Sequence, residues 1–307
     1  APSNLAWAVG IVRESESLGR VRIVTDSTAQ FLDPAIVERL GITVVPLSIS
    51  LGTRVYREGV DIDSATFLRL AQQSDIPARL IAPSPEDFAA VFRRLNQETD
   101  QVLALLMSRR LSQTWENALR ASKTLLGRCE IVPLDSMTLS VGLALLVEKA
   151  AQAAEGGASL EEVVHQTRSQ LNHVYSVFYV NGLAYLRHTG LLSDAQTILG
   201  TMLDIKPFLT IEEGELIPME KVRTQAQAVD KIVEFVAEFS ALEQLVILHS
   251  APHPTERTRL LHEHLTGGFP GRSFPLVMYQ PSLASLIGPD GVGVVIYEDP
   301  NAEDSLP

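Results

Sequence analysis

The stretch Gln101-Val102-Leu103-Ala104-Leu105-Leu106-Met107, followed by Ser108-Arg109-Arg110-Leu111-Ser112, decides the fold class. An apolar run this short reads as a strand covered on both faces, the habit of a parallel sheet. A polar loop follows it, and residues 112–126 then read as a helix. The same order of strand, polar loop and helix returns on either side. Upstream, Val21-Arg22-Ile23-Val24-Thr25 is a β-branched run ending in Asp26-Ser27-Thr28. Residues 34–40 read as a short helix with Asp33 as its N-cap and Pro34 at its first position. A strand over residues 42–47 and helices over 63–73 and 84–97 come next. The last of these opens Ser84-Pro85-Glu86-Asp87, a cap, a first-turn proline and two acids at the positive helix end. Downstream, a strand over residues 130–134 leads into Asp135-Ser136-Met137-Thr138, and residues 150–171 read as a helical segment broken near Gly156-Gly157.

Alternating strands and helices predict an α/β fold with a mostly parallel sheet, in which ligands bind at loops beyond the carboxyl ends of strands. Three such loops, Asp26-Ser27-Thr28, Ser108 to Ser112 and Asp135 to Thr138, are hydroxyl-rich and are expected to form one polar rim. Ser, Thr and Asp are also the ordinary residues of turns and caps. Beyond residue 170 the pattern changes. Strands are expected over 174–180, 244–249, 274–279 and 293–297, and helices over 182–188, 224–238 and 254–265. Residues 201–209 lead into a hairpin over 209–217 with Gly214 in its turn. The expected class is therefore an N-terminal parallel-sheet α/β domain plus a C-terminal α+β domain with a largely antiparallel sheet. The expected limits are 1–20 for an N-terminal extension, 21–170 and 171–300 for the two domains, and 301–307 for a tail.

Composition narrows the function. The chain has 307 residues, with 25 Lys plus Arg against 37 Asp plus Glu, a net charge of −12. That balance disfavours nucleic acid, which needs clustered basic surface. Cys129 is the single cysteine, so an intramolecular disulfide and a multi-cysteine zinc site are both excluded. It reads as a small buried hydrophobe, and a chain without disulfides suits the cytoplasm. The longest apolar run, residues 137–147, is too short to span a membrane. Residues 5–12 have the look of a signal-sequence core but lack a cationic segment before them.

Common catalytic signatures are missing: there is no P-loop, G-x-S-x-G, H-E-x-x-H or S-x-x-K. His249 and His253 are separated by prolines, and His262 and His264 face different sides of a helix, so no metal site is expected. Asp26 stands where a nucleophile, metal ligand or base could serve, or where a carboxylate satisfied by its own turn could sit. Gly288-Pro289-Asp290-Gly291 reads as a tight turn that lets backbone approach a ligand.

Further motifs lie along the chain in a fixed order: Thr25-Asp26-Ser27-Thr28, Val45-Pro46-Leu47, Tyr56 and Gly59-Val60-Asp61-Ile62, then Pro83-Ser84-Pro85 through Phe88. Ser108, Leu111-Ser112, Thr114 and Ala118 follow, then Asp135-Ser136 with Ser140 and Gly142. Leu183, Tyr185-Leu186-Arg187 and Gly190, Ile205-Lys206-Pro207, and Lys221-Val222-Arg223 complete the set. The chain resembles the DegV family from about residue 21 to 297. The resemblance implies a two-domain, non-enzymatic carrier for a long-chain fatty acid, with no other cofactor. Its first domain would hold the acyl carboxylate and its second would sheathe the tail. It also implies a fatty acid kinase subunit as partner. Carried over to this sequence, the implied ligand-binding residues are Ser27, Ser108, Ser112, Thr114, Leu286 and Gly288, and the implied docking residues are Arg187 and Arg223.

The chain departs from the family where the head group should sit. Leu80-Ile81-Ala82 replaces Thr-Ser-Gln, Arg109 replaces a serine, Leu286 replaces the histidine of H-x-G-P-G, and Thr189 and Leu191 replace a glycine and an arginine. Two readings follow. Arg109, helped by Arg79, replaces the lost anchors with a charge-assisted bond; or the head site has become apolar and takes another lipid. The competing assignments for the whole chain are a phosphoryl-transfer or hydrolytic enzyme using Asp26, and an interaction subunit without ligand.

Overall fold

The computed structural model describes residues 19–190, 192–193, 202 and 206–299. Residues 1–18 of the expected extension, Leu191, Ile205, most of residues 201–205 and the expected tail lie outside the described residues.

The N-terminal region runs β1 (Arg22–Asp26), α1 (Ala35–Arg39), β2 (Thr43–Val45), β3 (Ser48–Leu51), β4 (Arg54–Arg57) and α2 (Ser64–Gln72). It continues with β5 (Arg79–Ile81), α3 (Pro85–Leu95), β6 (Gln101–Leu106), α4 (Thr114–Ser122), β7 (Glu130–Asp135), α5 (Ser140–Glu155) and α6 (Leu160–Gln170). Strands β2-β1-β6-β7 form a wholly parallel sheet, as the strand–helix alternation requires. Ser84 and Asp87 cap α3 reciprocally, and Asp63 accepts the Thr66 N–H to start α2. Asp33 accepts the N–H of Ala35 at 3.0 Å, so α1 begins one residue later than the proline suggested.

The C-terminal region runs β8 (Val174–Val180), α7 (Ala184–His188), β9 (Lys206–Glu212), β10 (Glu215–Val222), α8 (Gln225–Ala237) and β11 (Leu242–His249). It ends with α9 (Glu256–Gly268), β12 (Leu276–Met278), α10 (Pro281–Ile287) and β13 (Gly291–Glu298). Its sheet has the order β10-β9-β8-β13-β11-β12 and is antiparallel except for the β11–β12 pair.

Three elements depart from the sequence reading. Helix α5 begins at Ser140, ten residues before the expected start. It packs against β1 and β6 on one side and β8 and β13 on the other, so its first half, Ser140 to Val147, is buried all round and shows no one-sided stripe. Helix α10 was not expected, and every one of its residues is buried. The sheet β4-β3-β5 was also missed, because its strands of three or four residues are too short to show alternation. One apolar core joins the two regions, running from Leu103 and Leu105 of β6 through Leu143 and Val147 of α5 to Phe178 and Val295.

Candidate functional site

The carboxyl ends of β1, β6 and β7 do converge, but their polar groups bond mainly to one another. The Asp26 carboxylate accepts the Thr28 N–H at 3.0 Å, the Thr28 hydroxyl at 2.6 Å and the Met107 N–H at 2.7 Å. It is fully buried. Burial pushes its pKa up, and the Met107 and Thr28 bonds pull it back. A carboxylate saturated by donors of its own and the next strand end is the structural reading of Asp26. The Ser27 hydroxyl donates to Glu58 Oε2 at 2.8 Å and accepts the Leu47 N–H at 2.9 Å. Glu58 is 2% exposed, and its Oε1 accepts the Ser282 N–H at the start of α10 at 2.7 Å. Burial raises its pKa to about 7 against the pull of those bonds. In the third loop Met137 and Ser140 hold φ of 55° and 57°, left-handed values that only the surrounding packing sustains.

The β9–β10 hairpin reaches across onto this rim. The Ser108 hydroxyl donates to the carbonyl of Gly214 at 2.6 Å. Gly214 has φ of 82°, and a Cβ there would lie 2.5 Å from that hydroxyl, so the contact requires glycine. The next residue, Glu215, accepts a hydrogen bond from the Arg110 guanidinium. Arg109 turns the other way. Its Nε lies 3.7 Å from Asp135 Oδ2, and its guanidinium carbon lies 5.4 Å from the centre of the Trp115 ring.

Two adjoining clefts open where the regions meet. The larger, 480 Å³, runs between β5, the 110–111 loop, the end of α7 and α10, with Arg79, Leu80, Arg110, Leu111, His188 and Leu286 on its walls. The smaller, 360 Å³, shares Arg110, Leu111 and Leu286 and adds Glu215 and Leu216. Both volumes fall within the range of small-molecule sites. Across the larger cleft, Arg79 Nε donates to His188 Nε2 at 3.0 Å. Burial, then the charges of Arg79 and Arg187, lowers the His188 pKa, which suits an imidazole that accepts. Leu80 and Leu286, which stand at two of the departures from the family motifs, both line this cleft and with Leu111 form its apolar side. A separate 370 Å³ depression lies between α2 and the loop after β11, with Ala65, Leu68, Ala251 and Pro252 on its walls beside Arg69 and Gln72.

Of the residues singled out for the ligand, Arg79 and Leu286 line the clefts. Ser27 and Ser108 are consumed by Glu58 and Gly214. Ser112 and Thr114 bond each other at 2.9 Å. Gly288, at φ of 94°, packs its backbone against the Tyr185 ring, and its carbonyl accepts the Tyr279 hydroxyl. Arg110 and Glu215 were missed. They are separated by 105 positions and meet only through the hairpin, and no local spacing announces such a pair. Arg187 is exposed on α7 beside the cleft residues His188 and Thr189, and Arg223 is exposed at the far end of β10 from the tip. Among the described residues no cluster of His, Cys, Asp and Glu could hold a metal ion, and no helix is long and apolar enough to cross a membrane. Cys129 is 7% exposed, and burial pushes its thiol to about 11, which removes thiolate reactivity.

A parallel α/β region joined to a largely antiparallel α+β region, with an arginine- and leucine-lined cleft at the junction, defines a small-molecule-binding architecture. The sequence model described as "Uncharacterised protein, DegV family" matches residues 20–299, and the chain belongs to the DegV family. A DegV domain-containing protein of Streptomyces coelicolor is 34% identical over 253 residues, covering 82% of this chain and 88% of its own. A solved structure described as fatty acid binding of a DegV family protein from Thermus thermophilus has 30% identity and a TM-score of 0.79, covering 92% of this chain and 100% of its own. A fatty-acid-binding DegV family protein from Streptococcus agalactiae shares the fold, with a TM-score of 0.82 at 24% identity over 91% of this chain and 99% of its own.

Proposed function

We propose that this protein binds a long-chain fatty acid or a closely related lipid in the junction cleft and does not transform it chemically. The carrying observation is the cleft itself, which sets two arginines against a leucine wall in 480 Å³. The similarity to the Thermus thermophilus protein, solved as a fatty-acid binder, supports the same reading. Burial contributes roughly 0.8 kcal/mol per CH₂, so a long tail drives binding, while the ionised head needs a cationic or hydrogen-bonding partner once desolvated. Residues 21–170 supply both arginines and act as the head-group domain. Residues 171–300 supply Leu216 and Leu286 and sheathe the tail. The protein works in the cytoplasm and presents the acid to a fatty acid kinase subunit, with Arg187 and Arg223 on the docking face.

Mass spectrometry of an organic extract, beside the native mass of the intact protein, tests the binding. A stoichiometric long-chain acid is expected. Protein without lipid that also refuses added fatty acid would overturn the reading. For the kinase step, acyl phosphate formation with a kinase subunit should fall when Arg187 is changed to Glu, with fatty acid uptake unchanged. Unaltered acyl phosphate formation would remove Arg187 from the docking face.

A further inference from the structure

We propose that Arg110 is the seat of the ligand's carboxylate, and that Glu215 on the hairpin tip competes for the same guanidinium as a built-in substitute for that head group. This deepens the fatty-acid reading and rests on it. Among the described residues Arg110 is the one charged side chain common to both clefts, and Leu111 beside it lines both. Its guanidinium already holds a carboxylate, the group an arginine fork matches best. Arg109, the neighbouring arginine, is committed to Asp135 and the Trp115 face.

Charge at the cleft points the same way. Arg79 and Arg110 are cationic, Arg79 bonds the imidazole of His188 rather than an acid, and Glu215 is the single carboxylate on the walls among the described residues. One further anion balances the cleft. The Arg110–Glu215 pair is also exchangeable, because its side chains are 47% and 52% exposed, and solvent-exposed pairs are weak.

The exchange reaches the hairpin. Two polar bonds from the 108–110 loop hold its tip: Ser108 to the Gly214 carbonyl and Arg110 to Glu215. Leu216, the residue after Glu215, is part of the wall of the smaller cleft. A ligand carboxylate that takes Arg110 from Glu215 therefore releases one of the two holds on the tip, next to the apolar wall its tail must reach.

The test is equilibrium binding of radiolabelled palmitic acid and of hexadecanol, a neutral lipid of equal chain length, to the full chain after delipidation. Arg110→Gln is expected to weaken palmitic acid about tenfold or more while changing hexadecanol less than about twofold, since a charge-assisted bond is lost and the tail contacts stay. Arg110→Lys, which keeps the charge but not the fork, is expected to fall between. Glu215→Gln should tighten palmitic acid about two- to fivefold, the scale of an exposed ion pair. If Arg110→Gln binds palmitic acid like the wild type, or weakens acid and alcohol in parallel, the seat is overturned. If Glu215→Gln leaves acid affinity unchanged, the competition is overturned. A wild-type chain that binds neither lipid is a separate result, and it removes the fatty-acid reading itself.

Discussion

Replacing Glu58 by Gln should change how stability depends on pH. Glu58 ties the loop after β4 to Ser27 and to the first turn of α10, and it is 2% exposed. Burial raises its folded pKa from 4.5 to about 7. A carboxyl group with a raised folded pKa binds its proton more tightly in the native state. Its contribution is therefore complete below about pH 4.5 and is lost as pH rises through about 7. At about 1.36 kcal/mol per pH unit, the full loss is on the order of 3 kcal/mol, and most of it falls between pH 5 and pH 8. Glutamine keeps the shape of the protonated acid and does not ionise. Urea unfolding of wild type and Glu58→Gln at both pH values cancels the other titrating groups. The variant's stability relative to wild type should rise by roughly 2–3 kcal/mol from pH 5 to pH 8. A difference that stays flat across that range would refute the assignment of a raised pKa to Glu58.

Arg109→Ala should leave fatty acid affinity unchanged and cost less than about 1 kcal/mol in urea unfolding, because its ion pair and ring contact are half exposed; a tenfold loss of acid binding would restore Arg109 as the anchor. Gly214→Ala should cost at least about 1–2 kcal/mol for its left-handed backbone, with a further penalty from the Ser108 hydroxyl. A thermal midpoint equal to wild type would contradict the close hairpin contact. Tyr279→Phe should cost about 2 kcal/mol, since the phenol donates to Gly288 at 2.8 Å and accepts the Gly291 N–H at 2.9 Å in a buried site. Denaturant midpoints measure it, and a change below about 0.5 kcal/mol would show that those backbone groups find other partners.

The elements legible in the sequence are those whose cause is local. The β1 and β6 runs are short and apolar because each strand is buried on both faces, and α3 announces itself through Ser84, Pro85 and Asp87. Gly214 marks the hairpin because its turn needs a positive φ. Motif order along the chain was enough to point to the family, since each motif is a contiguous segment. The first half of α5 and the whole of α10 escaped because burial on all sides erases the one-sided apolar stripe.

The site divides in the same way. Sequence alone determined that an arginine-bearing loop follows β6, that a glycine hairpin lies in the C-terminal region, and that leucines stand at positions 80 and 286. Only the tertiary structure decided which arginine faces the cleft. Arg109 and Arg110 are adjacent in one loop, and neither helical nor strand periodicity assigns them sides. Arg109 is drawn to Asp135 at the end of β7 and to Trp115 in α4, and Arg110 to Glu215, a residue 105 positions away. That choice is made by long-range packing of the hairpin against the strand ends, a contact with no counterpart in local sequence.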